Sequence, residues 1–275
     1  MMYSKVYIEI TNCCNRSCSF CPGTQRAPKQ MSTEEFELLT DKLIGVTGYL
    51  YLHVMGEPLV HPQLTKLIRI ASGKGFRVVL TTNGTLLKKR EEELLSSGVY
   101  KINISLHSFE KGEEAEQEHY IRDCISFADM ASKNGILVIL RLWNEGFDEG
   151  RNERTLQVLR DYFKEDWVWD ARGARIHPKL HLEYGKRFAW PDTSAPLFGE
   201  DVFCYGLKDH FAILCDGTVI PCCLDREGVI ALGNLFESSV KEILDSERAV
   251  KIVQGFQKRV AVEDLCKKCG YARKF

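Results

Sequence analysis

The sequence predicts an α/β protein, in which a partial, open (β/α)6 barrel of the TIM type is followed by a small domain with a β-hairpin and helices. Five apolar strand patterns alternate with helical patterns over the first two thirds of the chain. Repeats of this length imply parallel strands joined by right-handed helical crossovers. The repeats stop near residue 185, whereas a full eight-unit barrel needs about 250 residues. We therefore expect an open barrel of about six units.

Each element is predicted from its own start and stop signals. Ser32 and Glu35 form a capping box that opens the first helix, and Asn83-Gly84 marks the turn after the third strand. A sixth strand is expected over 175–183, although Pro178 suits only an edge position. In chain order we predict strands over 6–10, 49–54, 76–82, 101–105 and 136–142, and helices over 32–44, 62–72, up to 97, 121–134 and 153–163.

A change of pattern after the barrel predicts a second domain. Residues 189–203 contain two prolines and a glycine among polar residues, and we interpret them as a linker. The linker separates a barrel domain, residues 1–188, from a C-terminal domain, residues 204–275. In the latter, Asp216-Gly217 is a typical hairpin turn between two short apolar runs. The predicted elements there are strands over 211–215 and 218–222 and helices over 240–244 and 247–257.

The composition is that of an ordinary globular protein of 275 residues, 44% hydrophobic and 27% charged. The net charge of −1 argues against a dominant nucleic-acid or membrane surface, so we expect neither as a partner. No apolar stretch reaches the roughly 18 residues of a membrane span, and the first residues lack a signal-peptide pattern. These features predict a cytoplasmic protein.

Eleven cysteines are the unusual feature of the composition. An odd number in a reducing compartment makes disulfides a poor explanation, and all but Cys124 lie in two groups near the chain ends. Thiolates grouped in short loops bind zinc, copper(I) or iron–sulfur clusters. Cys14, Cys18 and Cys21 follow the first strand directly, on the face where barrels carry their active sites. Three thiolates leave the fourth iron of a cubane cluster open to another ligand.

The segment Thr11-Asn12-Cys13-Cys14-Asn15-Arg16-Ser17-Cys18-Ser19-Phe20-Cys21 resembles the signature of the radical S-adenosylmethionine (SAM) superfamily. In that family a [4Fe–4S] cluster binds SAM and cleaves it reductively to a 5′-deoxyadenosyl radical, which takes a hydrogen atom from the substrate. The resemblance implies Cys14, Cys18 and Cys21 as cluster ligands and leaves Cys13 as a neighbour. A structural zinc site is the alternative interpretation.

Further segments agree with the same family. Met55-Gly56-Glu57-Pro58 is similar to its Gly-Gly-Glu-Pro motif, which meets the ammonium group of SAM, and Thr82-Asn83-Gly84 matches a ribose-contacting loop. Taken alone, either segment would be an ordinary turn, and Arg141 would be a salt bridge at the barrel rim. The SAM-binding residues that the resemblance implies are Phe20, Gly56, Glu57, Pro58, Asn83, Ser105 and Arg141.

The C-terminal cysteines resemble the SPASM/twitch extension of radical SAM enzymes, in its shorter form with one auxiliary cluster. This resemblance implies a second [4Fe–4S] cluster, saturated with four thiolates and suited to electron transfer. Cys215 and Cys223 are alternative ligands, and a zinc knuckle is the alternative for the whole group. The implied ligands are Cys204, Cys222, Cys266 and Cys269.

Size and cysteine layout are most similar to 2-deoxy-scyllo-inosamine dehydrogenases, which implies oxidation of a small-molecule or peptide substrate with electron transfer to the auxiliary cluster. Modification of a ribosomally made peptide, by a thioether or carbon–carbon crosslink, is the second hypothesis. A non-catalytic zinc-binding protein is the third. The family implies an external electron donor of the flavodoxin or ferredoxin type. The candidate catalytic residues, among which the sequence does not choose, are His107, Arg141, His181, Glu183 and Tyr184.

Overall fold

The computed structural model describes residues 2–110 and 114–272 of the chain. Within these ranges, all named strands belong to one 11-stranded sheet. In chain order they are β1 (Lys5–Ile8), β2 (Tyr49–Tyr51), β3 (Arg77–Thr82), β4 (Lys101–Ser105), β5 (Leu137–Glu145), β6 (Val168–Asp170), β7 (Gly173–His177), β8 (Leu180–Lys186), β9 (His210–Ile213), β10 (Thr218–Ile220) and β11 (Gly233–Asn234).

The α-helices cover one face of this sheet or belong to the C-terminal part of the chain. The first begins at the predicted capping box, because the Ser32 side chain accepts from the Glu35 backbone N–H and the Glu35 side chain returns to the Ser32 N–H. In chain order they are α1 (Thr33–Lys42), α2 (Leu64–Gly73), α3 (Glu91–Leu95), α4 (Glu114–Lys133), α5 (Arg151–Tyr162), α6 (Val240–Leu244), α7 (Glu247–Gln257) and α8 (Asp264–Lys267).

Six parallel strands form the barrel, in the spatial order β1, β2, β3, β4, β5 and β8. Side chains alternate along each strand, as the pleat requires. In β1, Val6 and Ile8 are fully buried in the core beneath the helices, whereas Lys5 and Tyr7 are only half-buried and lie on the inner face. The predicted partial (β/α)6 barrel is thereby confirmed, and its inner face is polar and aromatic.

The predicted sixth strand over 175–183 is wrong in its extent. This segment contributes to two antiparallel strands, β7 and β8, with Pro178 in the turn between them. Proline has no backbone N–H to donate to a strand ladder, so the chain reverses there. Only β8 joins the barrel, in parallel with β5, while β7 and β6 extend the sheet outward as antiparallel edge strands.

The C-terminal part of the chain continues the same sheet beyond β1. Strand β9 pairs with β1 in parallel, and β9 and β10 form the predicted hairpin around Asp216-Gly217. Residues 189–203 contain no helix or strand, apart from an isolated bridge between Asp201 and Val260. The domain boundaries at 188 and 204 stay predictions. No helix in the described ranges has both the length and the apolar character that a membrane crossing would need.

Candidate active site and cysteine centres

The three N-terminal cysteines lie on the loop after β1, at the carboxyl ends of the barrel strands. The backbone N–H of Arg16 points at Cys14 Sγ, 3.4 Å away, and Cys18 Sγ lies 3.6 Å from the Ser108 carbonyl. Burial first, and then the charges of Glu110, Cys21 and Cys14, raise the pKa of Cys18 to about 11. The loop therefore gathers three thiols that repel one another when ionised.

A close backbone contact locks the loop after β2 against this cysteine loop. Gly56 has φ +77°, and a Cβ placed on it would lie 2.4 Å from the Thr11 carbonyl oxygen and 2.8 Å from that of Cys13. Only glycine fits such a cradle, for both conformational and steric reasons. The next residue, Glu57, donates its backbone N–H to the Cys13 carbonyl at 2.8 Å.

The Glu57 carboxylate joins a third loop to these two. Its Oε2 accepts from the Asn83 backbone N–H at 2.6 Å and its Oε1 from the Leu59 N–H at 3.0 Å. Burial raises the pKa of Glu57 to about 7, and these backbone hydrogen bonds oppose the rise. Both oxygens hold backbone groups, so the side chain predicted to meet SAM also positions the surrounding loops. Glu57 lies just before the 3-10 turn that begins at Pro58.

Asn83 ties the loop after β3 to the first cysteine. Its Nδ2 donates to Asn15 Oδ1 at 2.9 Å and lies 3.9 Å from Cys14 Sγ. Its Oδ1 accepts from the Thr85 backbone N–H at 3.0 Å. The Tyr120 hydroxyl donates to the Asn83 carbonyl at 2.7 Å. The predicted residues Gly56, Glu57 and Asn83 thus lie together against the cysteine loop.

A buried ion pair connects the cysteine loop with the C-terminal hairpin. Glu9 is completely buried and forms a bidentate pair with Arg26, with N–O distances of 2.6 and 2.8 Å. The same carboxylate accepts from the backbone N–H groups of Met55 and Cys215. Cys215 Sγ in turn donates to the Glu9 carbonyl at 3.0 Å. The Cys215 thiol is therefore held by its hydrogen bond to the Glu9 carbonyl.

Phe20 forms an aromatic wall beside the cysteines. Its ring centroid lies 5.0 Å from that of His107 and 5.3 Å from the guanidinium carbon of Arg187. Arg187 is paired with Glu110 at 2.9 Å. Burial lowers the pKa of His107 to about 4, so its ring is neutral at physiological pH. An aromatic surface of this kind can stack against the planar base of a nucleoside, and Phe20 is one of the SAM-binding residues that the resemblance implies.

Arg141 and Glu183 face each other at the barrel mouth. Strand register places Arg141 beside Ser105 on one side and beside Glu183 on the other. Arg141 Nε lies 3.3 Å from Glu183 Oε2, and the guanidinium carbon lies 4.3 Å from the ring centroid of Trp143. The predicted residues Ser105 and Arg141 are thus brought together with the candidate Glu183.

The last two candidates lie on β8 as well, but on different faces. His181 and Glu183 both lie on the inner face of β8. Leu180 and Leu182, which alternate with them, are buried on the other face. Tyr184 packs against the hydrophobic core, on the face opposite to Glu183. The structure therefore brings His181 and Glu183 to the barrel interior and leaves Tyr184 outside it.

A cavity of about 360 Å³, hereafter the central cavity, connects the barrel interior with the C-terminal cysteines. All four predicted auxiliary ligands border it, and so does Arg141. The alternation of Lys5 and Tyr7 with buried Val6 and Ile8 is the sequence signal that could have pointed to its β1 side. The barrel and C-terminal side chains that border it and that we did not single out include Lys5, Tyr7, Tyr51, Phe188, Asp209, His210 and Tyr271.

The auxiliary cysteines raise one another's pKa. Burial raises the pKa of Cys222 well above its ordinary value, and the charges of Cys223, Cys204 and Cys266 add to the effect. Burial raises the pKa of Cys269 as well. Cys223 also borders the cavity, beside Tyr7, and thus remains the alternative ligand. Cys215 does not border it.

These donor sets suit iron–sulfur clusters. In both groups burial raises the pKa of thiols such as Cys18 and Cys222, and a cationic iron core relieves this penalty by binding thiolates. Among the residues in the described ranges, no three His, Cys, Asp or Glu side chains converge closely enough to hold a single metal ion. A structural zinc would need four such ligands around one point. Cys14, Cys18 and Cys21 would hold one cluster, and Cys204, Cys222, Cys266 and Cys269 the other.

Comparison with known proteins agrees with this geometry. Residues 8–144 match the family model of the radical SAM superfamily, and residues 204–270 match that of the SPASM iron–sulfur cluster-binding domain. The α/β barrel and its loop of three cysteines thus define the class of protein, a radical SAM enzyme. The chain belongs to the radical SAM superfamily and carries a SPASM domain, so its cofactors are SAM, a SAM-binding [4Fe–4S] cluster and auxiliary iron–sulfur.

Individual relatives differ in activity. An AdoMet-dependent heme synthase from Oleidesulfovibrio alaskensis is 33% identical over 36% of this chain and 26% of its own length. The subtilosin biosynthesis protein AlbA from Bacillus subtilis is 25% identical over 96% of this chain and 64% of its own. BtrN, solved with AdoMet and 2-DOIA, has 17% identity and a TM-score of 0.62, covering 98% of this chain and 93% of BtrN. The chain therefore spans about a quarter of the heme synthase and less than two thirds of AlbA.

Proposed function

We propose that this protein oxidises a carbinol-type C–H group of a substrate bound in the central cavity, using both cysteine sites. The observation that carries the proposal is the central cavity itself, which borders Arg141 at the barrel mouth and all four auxiliary cysteines. A substrate there lies between the place where a hydrogen atom is removed and the place where an electron is accepted. When bound, SAM and the clusters supply the 5′-deoxyadenosyl radical and the one-electron acceptor.

The chain's own residues hold the reactants. Gly56, Glu57 and Asn83 fix the cysteine loop, Phe20 provides an aromatic wall for the adenine, and Arg141 with Ser105 provides donors for the SAM carboxylate. For an alcohol, the substrate loses one hydrogen atom from carbon, one proton from oxygen and one electron, and becomes a carbonyl compound. SAM cleavage consumes one external electron, which a flavodoxin- or ferredoxin-type donor would supply.

His53 is positioned to hydrogen-bond the substrate hydroxyl. It borders the central cavity, and its Nδ1 is buried with no hydrogen-bond partner within the described part of the chain. Burial and the charge of Arg141 lower its pKa to about 3, so the ring stays neutral and can accept a hydrogen bond from the substrate hydroxyl, while the proton that is lost passes to water.

A second candidate function is the modification of a ribosomally made peptide. The similarity to AlbA over 96% of the chain supports it, since AlbA is a bacteriocin biosynthesis protein. The cavity also suits one side chain of a peptide. Both functions share radical formation and the auxiliary cluster and differ in the substrate.

Anaerobic turnover tests the proposal. The reconstituted, reduced protein is incubated with SAM and either a panel of secondary alcohols or a panel of cysteine-containing peptides. We expect that an alcohol of the first panel is converted to a product with two hydrogens fewer. If such a product forms only from a peptide of the second panel, the result favours peptide modification. Cys266→Ala should still cleave SAM but lose product formation. Full turnover by Cys266→Ala would contradict the electron-accepting role.

A further inference from the structure

The barrel interior carries three cationic side chains on three different strands. Lys5 lies on β1, Lys101 on β4 and Arg141 on β5, each at a half-buried position next to fully buried neighbours such as Val6, Ile102 and Leu140. Strand register puts Lys101 in one row with Tyr51 and Tyr7. Lys5 Nζ lies 5.8 Å from the centroid of the Tyr51 ring, so Lys5 and Lys101 face the same part of the barrel interior. The charges of Arg141 and Lys5 both act on Lys101.

Among the residues that the structure describes, two carboxylates pair with these cations. Glu183 Oε2 lies 3.3 Å from Arg141 Nε, and Asp209 Oδ2 lies 3.8 Å from Lys5 Nζ. Within the described ranges, no hydrogen bond or ion pair reaches the Lys101 ammonium. Burial lowers the pKa of Lys101, and the charges of Arg141 and Lys5 act in the same direction. The charge of Glu183 partly opposes this lowering. A half-buried ammonium among other cations lacks an anionic partner.

Two residues that border the central cavity carry further unused donors. Arg141 uses only its Nε toward Glu183, so neither of its terminal nitrogens has a partner among the described residues. Trp143 Nε1 is buried and likewise has none there. Both residues border the central cavity, whose β1 and β2 side is formed by Tyr7 and Tyr51. The site combines unused donors with aromatic walls.

We propose that the substrate carries an anionic group, a carboxylate or a phosphate, which binds inside the barrel between Lys101, Lys5 and Arg141. One terminal nitrogen of Arg141 then faces this anion, and the other faces the SAM carboxylate. The inference rests on the proposed function, because that function makes the central cavity the substrate site. The anion supplies the acceptor that Lys101 lacks, and the adjoining part of the substrate packs against Tyr7 and Tyr51. The reacting carbon then lies toward Arg141 and the cysteine loop.

Anaerobic calorimetry of the reconstituted protein, saturated with SAM, tests this site with three probes of one ring size. Benzoate and phenyl phosphate are anionic, and benzamide is neutral. We expect one anion to bind at least about tenfold more tightly than benzamide, as charge-assisted hydrogen bonds require. The tighter anion distinguishes carboxylate from phosphate. Equal binding of benzamide, or loss of anion binding when SAM is present, would overturn the inference, since the donors would then serve SAM alone.

Three variants locate the binding. Lys101→Met should weaken the anion at least about tenfold, and Lys101→Arg should retain it because the charge stays. Lys88→Met is the matched control, since Lys88 is exposed and paired with Glu91 on the outside. Without probe, Lys101→Met should unfold at a higher temperature than the unaltered protein. Unchanged anion binding in Lys101→Met would refute the site. SAM cleavage is measured in the same preparation, and its absence would refute the proposed function independently.

Discussion

Gly56 holds the loop after β2 against the loop of the three N-terminal cysteines, and its replacement by alanine should damage both stability and SAM cleavage. The new Cβ would lie 2.4 Å from the Thr11 carbonyl oxygen, about 1.0 Å short of the 3.4 Å at which ordinary contact begins. If the loops separate by this amount, the 2.8 Å hydrogen bond from the Glu57 N–H to the Cys13 carbonyl breaks.

The chain offers a matched control for the backbone strain. Gly45 has the same φ of +77°, but a Cβ there meets nothing within 4 Å. A left-handed conformation costs alanine about 1–2 kcal/mol in either position. Only Gly56→Ala also loses a hydrogen bond, worth about 1 kcal/mol. Displacement by about 1 Å beside reacting groups lowers a rate on the order of 100-fold.

Urea unfolding and anaerobic SAM cleavage measure the two effects separately. Gly45→Ala should lose about 1–2 kcal/mol of unfolding free energy and cleave SAM normally. Gly56→Ala should lose at least about 1 kcal/mol more and cleave SAM on the order of 100-fold more slowly. Equal unfolding free energies, together with normal cleavage by Gly56→Ala, would show that the close contact does not position the cysteine loop.

Three further predictions concern the buried charges and the second cysteine group. Arg26→Met leaves the Glu9 carboxylate buried without its partner, so the unfolding free energy should fall by about 3–5 kcal/mol in urea titrations. Cys266→Ala should lower the iron content by about four per chain, whereas Cys215→Ala, whose thiol bonds to the Glu9 carbonyl, should leave it unchanged. Burial raises the Glu57 pKa from 4.5 to about 7, so its contribution to stability is full below pH 4.5 and is lost as the pH rises through 7. Relative to Glu57→Gln, the unaltered protein should therefore lose unfolding free energy over this range, and a flat difference would contradict the buried carboxyl.

Local signals in the sequence predicted most of the barrel. The capping box at Ser32 and the apolar run of β4, Lys101–Ser105, were predicted correctly because each depends on neighbouring residues alone. The segment around Pro178 was interpreted as one strand, since periodicity does not show where a chain reverses. The pairing of β9 with β1 joins residues about 200 positions apart, and no local pattern encodes it.

The residues of the candidate site also fall into those that the sequence predicted and those that only the fold shows. Spacing and motif resemblance singled out the cysteines, Gly56, Glu57 and Asn83, and the structure brings these loops together. Tyr7 and Lys101 belong to the barrel interior because their faces of β1 and β4 are turned inward. Motif resemblance alone does not indicate which face of a strand is turned inward. The double role of Glu57, which holds the Asn83 backbone N–H at 2.6 Å, could be found only from the packed loops.

SAM cleavage by two neighbouring cysteine variants tests the central claim most directly. Cys14→Ala removes a thiol proposed to hold the open cluster, whereas Cys13→Ala removes the adjacent thiol and keeps the proposed ligands. The reduced, reconstituted proteins are incubated with SAM under anaerobic conditions, and 5′-deoxyadenosine is quantified. We predict that Cys13→Ala forms 5′-deoxyadenosine and that Cys14→Ala forms none. Normal cleavage by Cys14→Ala would contradict a cluster held by Cys14, Cys18 and Cys21.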